Sequence, residues 1–139
     1  MKPEMKIGEL ARRTDCRVET IRFYEKEGML PPPPRSTGNY RLYGKIHIER
    51  LLFIRRCRSL DMTLDEIRRL LQIRDTPRDD CSAVSIFLDG HIRQIGFRIA
   101  ELQQLRDQLG SLSMRCSGAR TVEQCGILQE LGSPGFNSD

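Results

Sequence analysis

A chain of 139 residues holds one or two small domains, enough for one compact core and too little for a large enzyme. No apolar leader and no long uncharged run mark the sequence, so neither a signal peptide nor a membrane span is expected, and the cytoplasm is the expected compartment. The net charge of +4 conceals an asymmetry: residues 1–74 carry 17 Lys and Arg against 10 Asp and Glu, whereas residues 75–139 carry 6 against 9. The basic front half is the electrostatic footprint of a phosphate-backbone binder, and the acidic rear half must serve another purpose.

In chain order, nearly everything reads as helix. Ile7, Leu10 and Ala11 give the stretch 7–14 one apolar face. A break at residues 15–17 leads into a second short helix over 18–27, stopped by Gly28 and the prolines 31–34. On it Val18, Ile21 and Tyr24 or Glu25 follow the inner face, leaving Glu19, Arg22 and Phe23 for other surfaces. Two short helices about a tight turn form a helix-turn-helix. The stretch 35–43 places a Gly-Asn turn among Arg35, Tyr40, Arg41 and Tyr43. It reads as a small β-ribbon wing whose guanidinium and phenol groups suit phosphates. A helix over about 45–60 follows, with Arg55, Arg56 and Arg58 near its end, then another from Met62 to about Arg74. There Thr63 and Glu66 form a capping box, and Met62 can staple to Ile67.

Residues 75–80 are a polar linker. From Cys81 to about Ser113 there is no proline, and Ile92, Ile95, Ile99, Leu102, Leu105 or Arg106, Leu109 and Leu112 recur at heptad-like steps. Such a helix either packs on its own domain or pairs with a second copy. Little other apolar sequence remains to cover it, so an antiparallel coiled-coil homodimer is expected. A polar loop and a short apolar segment fill 114–131, and a flexible tail is expected over 132–139. The expected fold is therefore mainly α: a winged helix-turn-helix DNA-binding domain over 1–74, the linker, a long dimerisation helix over 81–113, and a short C-terminal metal-binding loop.

Five cysteines, an odd number in a compartment that keeps thiols reduced, favour metal binding over a disulfide framework. Cys116 and Cys125 flank eight residues, too wide for a CxxC pair. Soft metals want a third thiolate, and Cys81 is the candidate. A continuous helix between them would be about 50 Å long, so Cys81 and Cys116 of one chain cannot meet, whereas antiparallel pairing brings Cys81 of one subunit to Cys116 and Cys125 of the other. Three thiolates suit Pb(II), Hg(II), Cd(II) or Zn(II). At Cys81 the helix N-terminus favours the thiolate, while Asp79 and Asp80 oppose it. Cys57 reads as a small core residue, Cys16 as a structural turn residue open to oxidation, and His91 as a solvated side chain before an accessory metal ligand; His47 is left unassigned. Without a Ser/His/Asp set, an HExxH or a phosphate-cradling glycine loop, no enzyme is expected.

Together, IGELARRTDCRVETIRFYEKEGMLPPPPRSTGNYRLYG, FIRRCRSLDMTLDEIRRLL and the set Cys81, Cys116 and Cys125 resemble the MerR family of metal-responsive transcription regulators. The sensor portion is similar to its lead-responsive and cadmium-responsive branch. The resemblance implies a dimer on a promoter inverted repeat whose spacer is too long for RNA polymerase, and metal-induced bending and untwisting that realigns the promoter elements. It implies major-groove contacts from Arg22 and Tyr24, and phosphate contacts from Arg35, Tyr40, Arg41, Tyr43, Arg55 and Arg58. Copper sensors of the family carry serine where this chain has Cys81, which implies a divalent ion here. The eight-residue loop and the lack of a histidine-rich tail put Pb(II) first, then Cd(II) and Hg(II), then Zn(II). Gly44 departs from the family's better helix caps. A thiol-redox regulator on the same scaffold, using Cys116 and Cys125, is the alternative.

Overall fold

In the computed structural model, residues 4–78, 80–116, 118 and 121–135 are described. The expectations placed on Asp79, on Ser117, Ala119 and Arg120 of the loop, and on 136–139 of the tail lie outside the described residues. The chain divides into two compact units, Met1–Ser85 and Ile86–Asp139.

The first unit is built from four helices: α1 (Ile7–Thr14), α2 (Val18–Lys26), α3 (Lys45–Ser59) and α4 (Leu64–Arg74). Apolar residues at helical spacing converge on one core, with Leu10, Ile21, Met29, Leu30, Tyr43, Leu51, Ile54 and Ile67 almost wholly buried. Each fully buried Leu or Ile side chain contributes roughly 1.5–3 kcal/mol. Cys57 joins this core, as its helical position suggests, and burial pushes its thiol up. The turn between α1 and α2 is set by Asp15 in the left-handed region (φ 52°), which a short polar side chain tolerates. Arg55 on α3 clamps this turn, donating to the Thr14 carbonyl (3.1 Å) and the Asp15 carboxylate (2.8 Å).

Helix starts follow local chemistry. At α4 the expected capping box is present: the Glu66 N–H donates to Thr63 Oγ1 (3.2 Å), and the Thr63 N–H to Glu66 Oε1 (3.0 Å). Met62 and Ile67, the proposed staple, are both buried. At α3 the cap comes from an unexpected residue. The Gly44 N–H donates to Nδ1 of His47 (3.0 Å), and Nε2 of the same buried ring lies 3.1 Å from the Pro31 carbonyl. His47 thus satisfies the N–H of the N-cap residue, although no N-cap side chain accepts from the first turn of α3, and its ring meets Tyr43 edge-on at 5.1 Å.

The expected winged element is not formed. Among the described residues there is no β-strand, so the fold is a mainly α-helical helix-turn-helix followed by a long helix, without a β-ribbon wing at Arg35, Tyr40, Arg41 and Tyr43. Only isolated antiparallel bridges occur, Arg35 with Arg41 and Met5 with Tyr43. The reason lies in the prolines. Leu42 donates to the Pro34 carbonyl (2.9 Å), but Pro34 has no N–H to return, and Pro31–Pro33 extend the donor gap upstream. A ladder needs donors on both sides; here one side lacks them, and a turn remains, closed by Ser36 and Tyr40.

The second unit holds most of α5 (Ser82–Ser113), a 3-10 turn (Val122–Gln124) and α6 (Gly126–Leu131). Helix α5 keeps its apolar residues outside: Ile92, Ile99, Leu102 and Leu109 are 64, 51, 49 and 66 % exposed, and only Phe87, His91 and Leu112 are buried on it. The expectation of a solvated His91 is therefore corrected: its ring is buried. No helix among the described residues is long and apolar enough to cross a membrane.

Candidate nucleic-acid interface and thiol site

Helix α2 exposes Arg22 and Phe23 while burying Ile21 and Tyr24. Arg22 borders an open recess of about 460 Å3, shared with Ile7, Glu25, Lys26, Pro32 and Arg41. Three cations around one carboxylate make this recess electropositive, a setting suited to phosphate. Glu25 is the organising group. It accepts from the Tyr43 hydroxyl at 2.5 Å and from Arg41 Nη1 at 3.1 Å. Burial and the Glu25 carboxylate push the Tyr43 phenol up to about 12, with Arg41 acting in the opposite sense.

The other cations named from the sequence are held in place by the protein. Arg35 donates to the Asn39 carbonyl (3.2 Å), and Arg58 to the Met62 carbonyl (2.8 Å). Arg55 grips the α1–α2 turn as described above. Tyr40 is exposed and lies under the Lys6 ammonium at 4.4 Å. Tyr24 is buried, which raises its phenol pKa, and the Cys16 thiol acts in the same sense against Arg58. Cys16, a structural turn residue by sequence, donates to the Thr14 carbonyl (3.5 Å).

Arg50 escaped the sequence reading. Its Nε donates to the Met29 carbonyl (2.5 Å), and its guanidinium forms a two-pronged pair with Asp75 at 2.9 and 3.1 Å, tying α3 to the end of α4 and to the segment after α2. Those hydrogen bonds hold the Asp75 carboxyl below its ordinary range. An isolated arginine inside an apolar periodicity gives no hint of such partners; only the fold supplies them.

The second candidate site lies in the rear unit. Cys125 occupies the N-cap position of α6. The backbone N–H groups of Leu128 and Ile127 at the start of α6, and the Cys116 side chain, act to hold its thiol below the ordinary value, against partial desolvation. Cys116 is thus near enough to Cys125 to act on its thiol. Two local features close the loop. Arg115 pairs with Glu130 at 3.1 Å, and a Cβ on Gly126 would stand 2.6 Å from the Arg115 carbonyl oxygen, so only glycine fits there. Both features adjoin the cysteines in sequence, and neither was singled out from it.

Cys81, in the front unit, is exposed beside the start of α5. Asp80 accepts from the N–H and hydroxyl of Ser82, which lowers its carboxyl pKa. Its charge is therefore partly engaged at the helix start instead of facing Cys81 alone. Among the described residues of this single chain, no three His, Cys, Asp or Glu side chains gather into a cluster suited to a metal.

A helix-turn-helix with a basic recess on its second helix defines a DNA-binding regulator, and the sequence comparisons specify which. The family model for MerR helix-turn-helix regulatory proteins matches residues 5–73, and that for the MerR DNA-binding region matches 48–112. The chain belongs to the MerR family, whose members are transcription factors and not enzymes. It is 46 % identical over 105 residues to a ZntR homolog of Haemophilus influenzae, covering 76 % of this chain and 78 % of that protein. The crystal structure of the regulator PbrR691 from Ralstonia metallidurans in complex with lead(II) superposes with a TM-score of 0.84 at 54 % identity, covering 91 % of this chain and 98 % of that one. A Bacillus megaterium MerR in complex with mercury(II) superposes at 0.74 with 31 % identity, over 93 % and 100 % of the two chains.

Proposed function

We propose that this protein is a metal-sensing transcriptional activator that binds a promoter inverted repeat as a homodimer and responds to a divalent soft metal, Pb(II) before Cd(II), Hg(II) and Zn(II). The observation that carries this reading is the Cys116–Cys125 pair, with one thiol acidified by backbone amides and by its neighbour. Deprotonated sulfur is the ligand soft cations select. Similarity to the lead(II) complex of PbrR691 supports placing Pb(II) first. One chain brings two adjacent thiols, and Cys81 of the partner subunit is proposed as the third. Support comes from the length of α5, about 48 Å for 32 residues, and from its exposed apolar residues, which a second copy would cover. When bound, a divalent ion would offset two of the three thiolate charges, leave the site at a net −1, and link two subunits. Domains over 1–74 and 81–113, joined by the linker 75–80 and followed by the loop over 114–131, fit this division of labour.

On the DNA side, Arg22, Arg35, Tyr40, Arg41, Arg55 and Arg58 form the exposed part of the proposed surface; Tyr24 and Tyr43, expected from the resemblance to touch DNA, are buried behind it and would support it from within. Activation would act on the promoter's shape for RNA polymerase. Distorting DNA costs on the order of 1–6 kcal/mol, which binding must offset. Metal can shift that balance only by its differential affinity for two protein–DNA states, so DNA must alter metal affinity in return.

The same nearness of Cys116 to Cys125 favours a second reading, a dithiol that closes to a disulfide under oxidant. A titration of reduced protein with Pb(II) separates the two. It would follow thiolate-to-metal charge transfer, with Cd(II), Hg(II) and Zn(II) in competition and Cys81→Ser alongside. A saturating band at about one metal per chain, lost in Cys81→Ser, supports the three-thiolate clamp. No band with any of the four metals puts the redox reading first.

A further inference from the structure

Glu25 is an anomaly on a surface meant for phosphates: a carboxylate at the centre of a recess bordered by Arg22, Lys26 and Arg41. It is also well covered, with its side chain only 12 % exposed. One oxygen receives the hydroxyl of Tyr43, a residue with no exposed surface, and the other receives Arg41, whose side chain is 42 % exposed. Tyr43 in turn is bonded through its backbone to Met5 in both directions (2.8 and 2.9 Å) and stacks edge-on against His47 at the start of α3. Without a ladder of strand hydrogen bonds, the turn over 35–43 depends on such side-chain anchors for its position against α2.

We propose that Glu25 is a positioning and specificity-determining residue of the DNA-binding unit. Its carboxylate fastens the 35–43 turn to α2 through Tyr43, and it screens Arg41 from phosphates that are not correctly placed. Two consequences follow from one group. The fixed register between α2 and the turn favours one DNA geometry, and the screened cation withholds affinity from arbitrary sequence, where binding is almost wholly electrostatic. Specificity is the difference between these affinities, so a repulsive carboxylate contributes to it as much as an attractive arginine does.

The test compares Glu25→Gln with the natural protein on two duplexes of equal length: one selected by the protein itself from a random-sequence library, and a scrambled version of it. The variant is expected to bind the selected duplex more weakly and the scrambled duplex more tightly, lowering their affinity ratio at least about tenfold. On the scrambled duplex, its log–log salt slope should steepen by about 0.9, the mark of one additional phosphate contact. Adding Arg41→Ala to Glu25→Gln should return scrambled-duplex affinity to the natural level or below. A purely structural role would weaken both duplexes together, and that outcome, or an unchanged ratio, overturns the proposal. If Glu25→Gln fails to fold by circular dichroism, Tyr43→Phe decides instead, since it removes the hydroxyl and keeps the ring. A fall of several-fold in the ratio supports the proposal, and no change rejects it.

Discussion

The front unit closes its apolar core within one chain, whereas helix α5 in the rear unit leaves its apolar residues in water. Leu51, Ile54 and Ile67 are wholly buried; Ile92, Ile99 and Leu102 are about half exposed or more, although their hydrophobicity is the same. The difference teaches what each unit is for. A set of short helices can cover its own apolar faces and present a rigid surface, while a single long helix with an uncovered stripe offers the seam on which the proposed second copy would pack.

Substitutions on the two stripes give the sharpest contrast. Leu102→Asp should convert a dimer to a monomer by light scattering, because it places a charge in a coiled-coil seam, while the front unit keeps its helices. An unchanged dimer mass would show that the exposed stripe of α5 is not the interface. Leu51→Ala should instead lower stability by about 2–5 kcal/mol in denaturant unfolding, by a cavity inside one chain and independently of protein concentration. Concentration dependence there would blur the comparison.

The next effect is confined to the rear unit. Gly126→Ala puts a methyl group where the Arg115 carbonyl stands and should push apart the segments that carry Cys116 and Cys125. Metal affinity is expected to fall by about 10–100-fold, the range for residues that support metal ligands, with the melting of the front unit unchanged. Competition against a chelator would measure it, and full affinity would show that the close approach is dispensable.

The smallest effect belongs to the front unit alone. The Tyr43 phenol is raised from 10.0 to about 12 in the folded protein, so the folded state holds its proton where the unfolded state has lost it. That contribution is fully present below pH 10 and is lost as pH rises toward 12. Tyr43→Phe should flatten the decline of stability over this window. An equal decline in both proteins would place the loss elsewhere.

Legibility in the sequence followed the range of the interactions involved. Helices were readable because their determinants lie within a turn or two: the apolar spacing of α1, the Thr63–Glu66 cap of α4, and the proline-free run of α5. The ribbon at 35–43 misled because its Gly-Asn turn is genuine, yet the neighbouring prolines remove the donors that would extend pairing beyond single bridges. His47 and Arg50 went unread because their partners, Pro31, Met29 and Asp75, lie 16 or more residues away. His91 was misread because a lone histidine within an apolar helix carries no local sign of what covers it. In the thiol site the cysteines stood out, whereas the glycine and the ion pair that bring two of them together did not.

The most direct measurement of the shared thiol clamp is complementation between two defective chains. Cys81→Ser retains Cys116 and Cys125, and the double variant Cys116→Ser with Cys125→Ser retains Cys81. Each alone should show no lead–thiolate band. After equal amounts are unfolded and refolded together, half of the dimers pair unlike chains and rebuild one site each, so the band should return at about one quarter of the natural stoichiometry per chain. No recovery on mixing, or a full band from Cys81→Ser alone, would contradict a site shared between subunits.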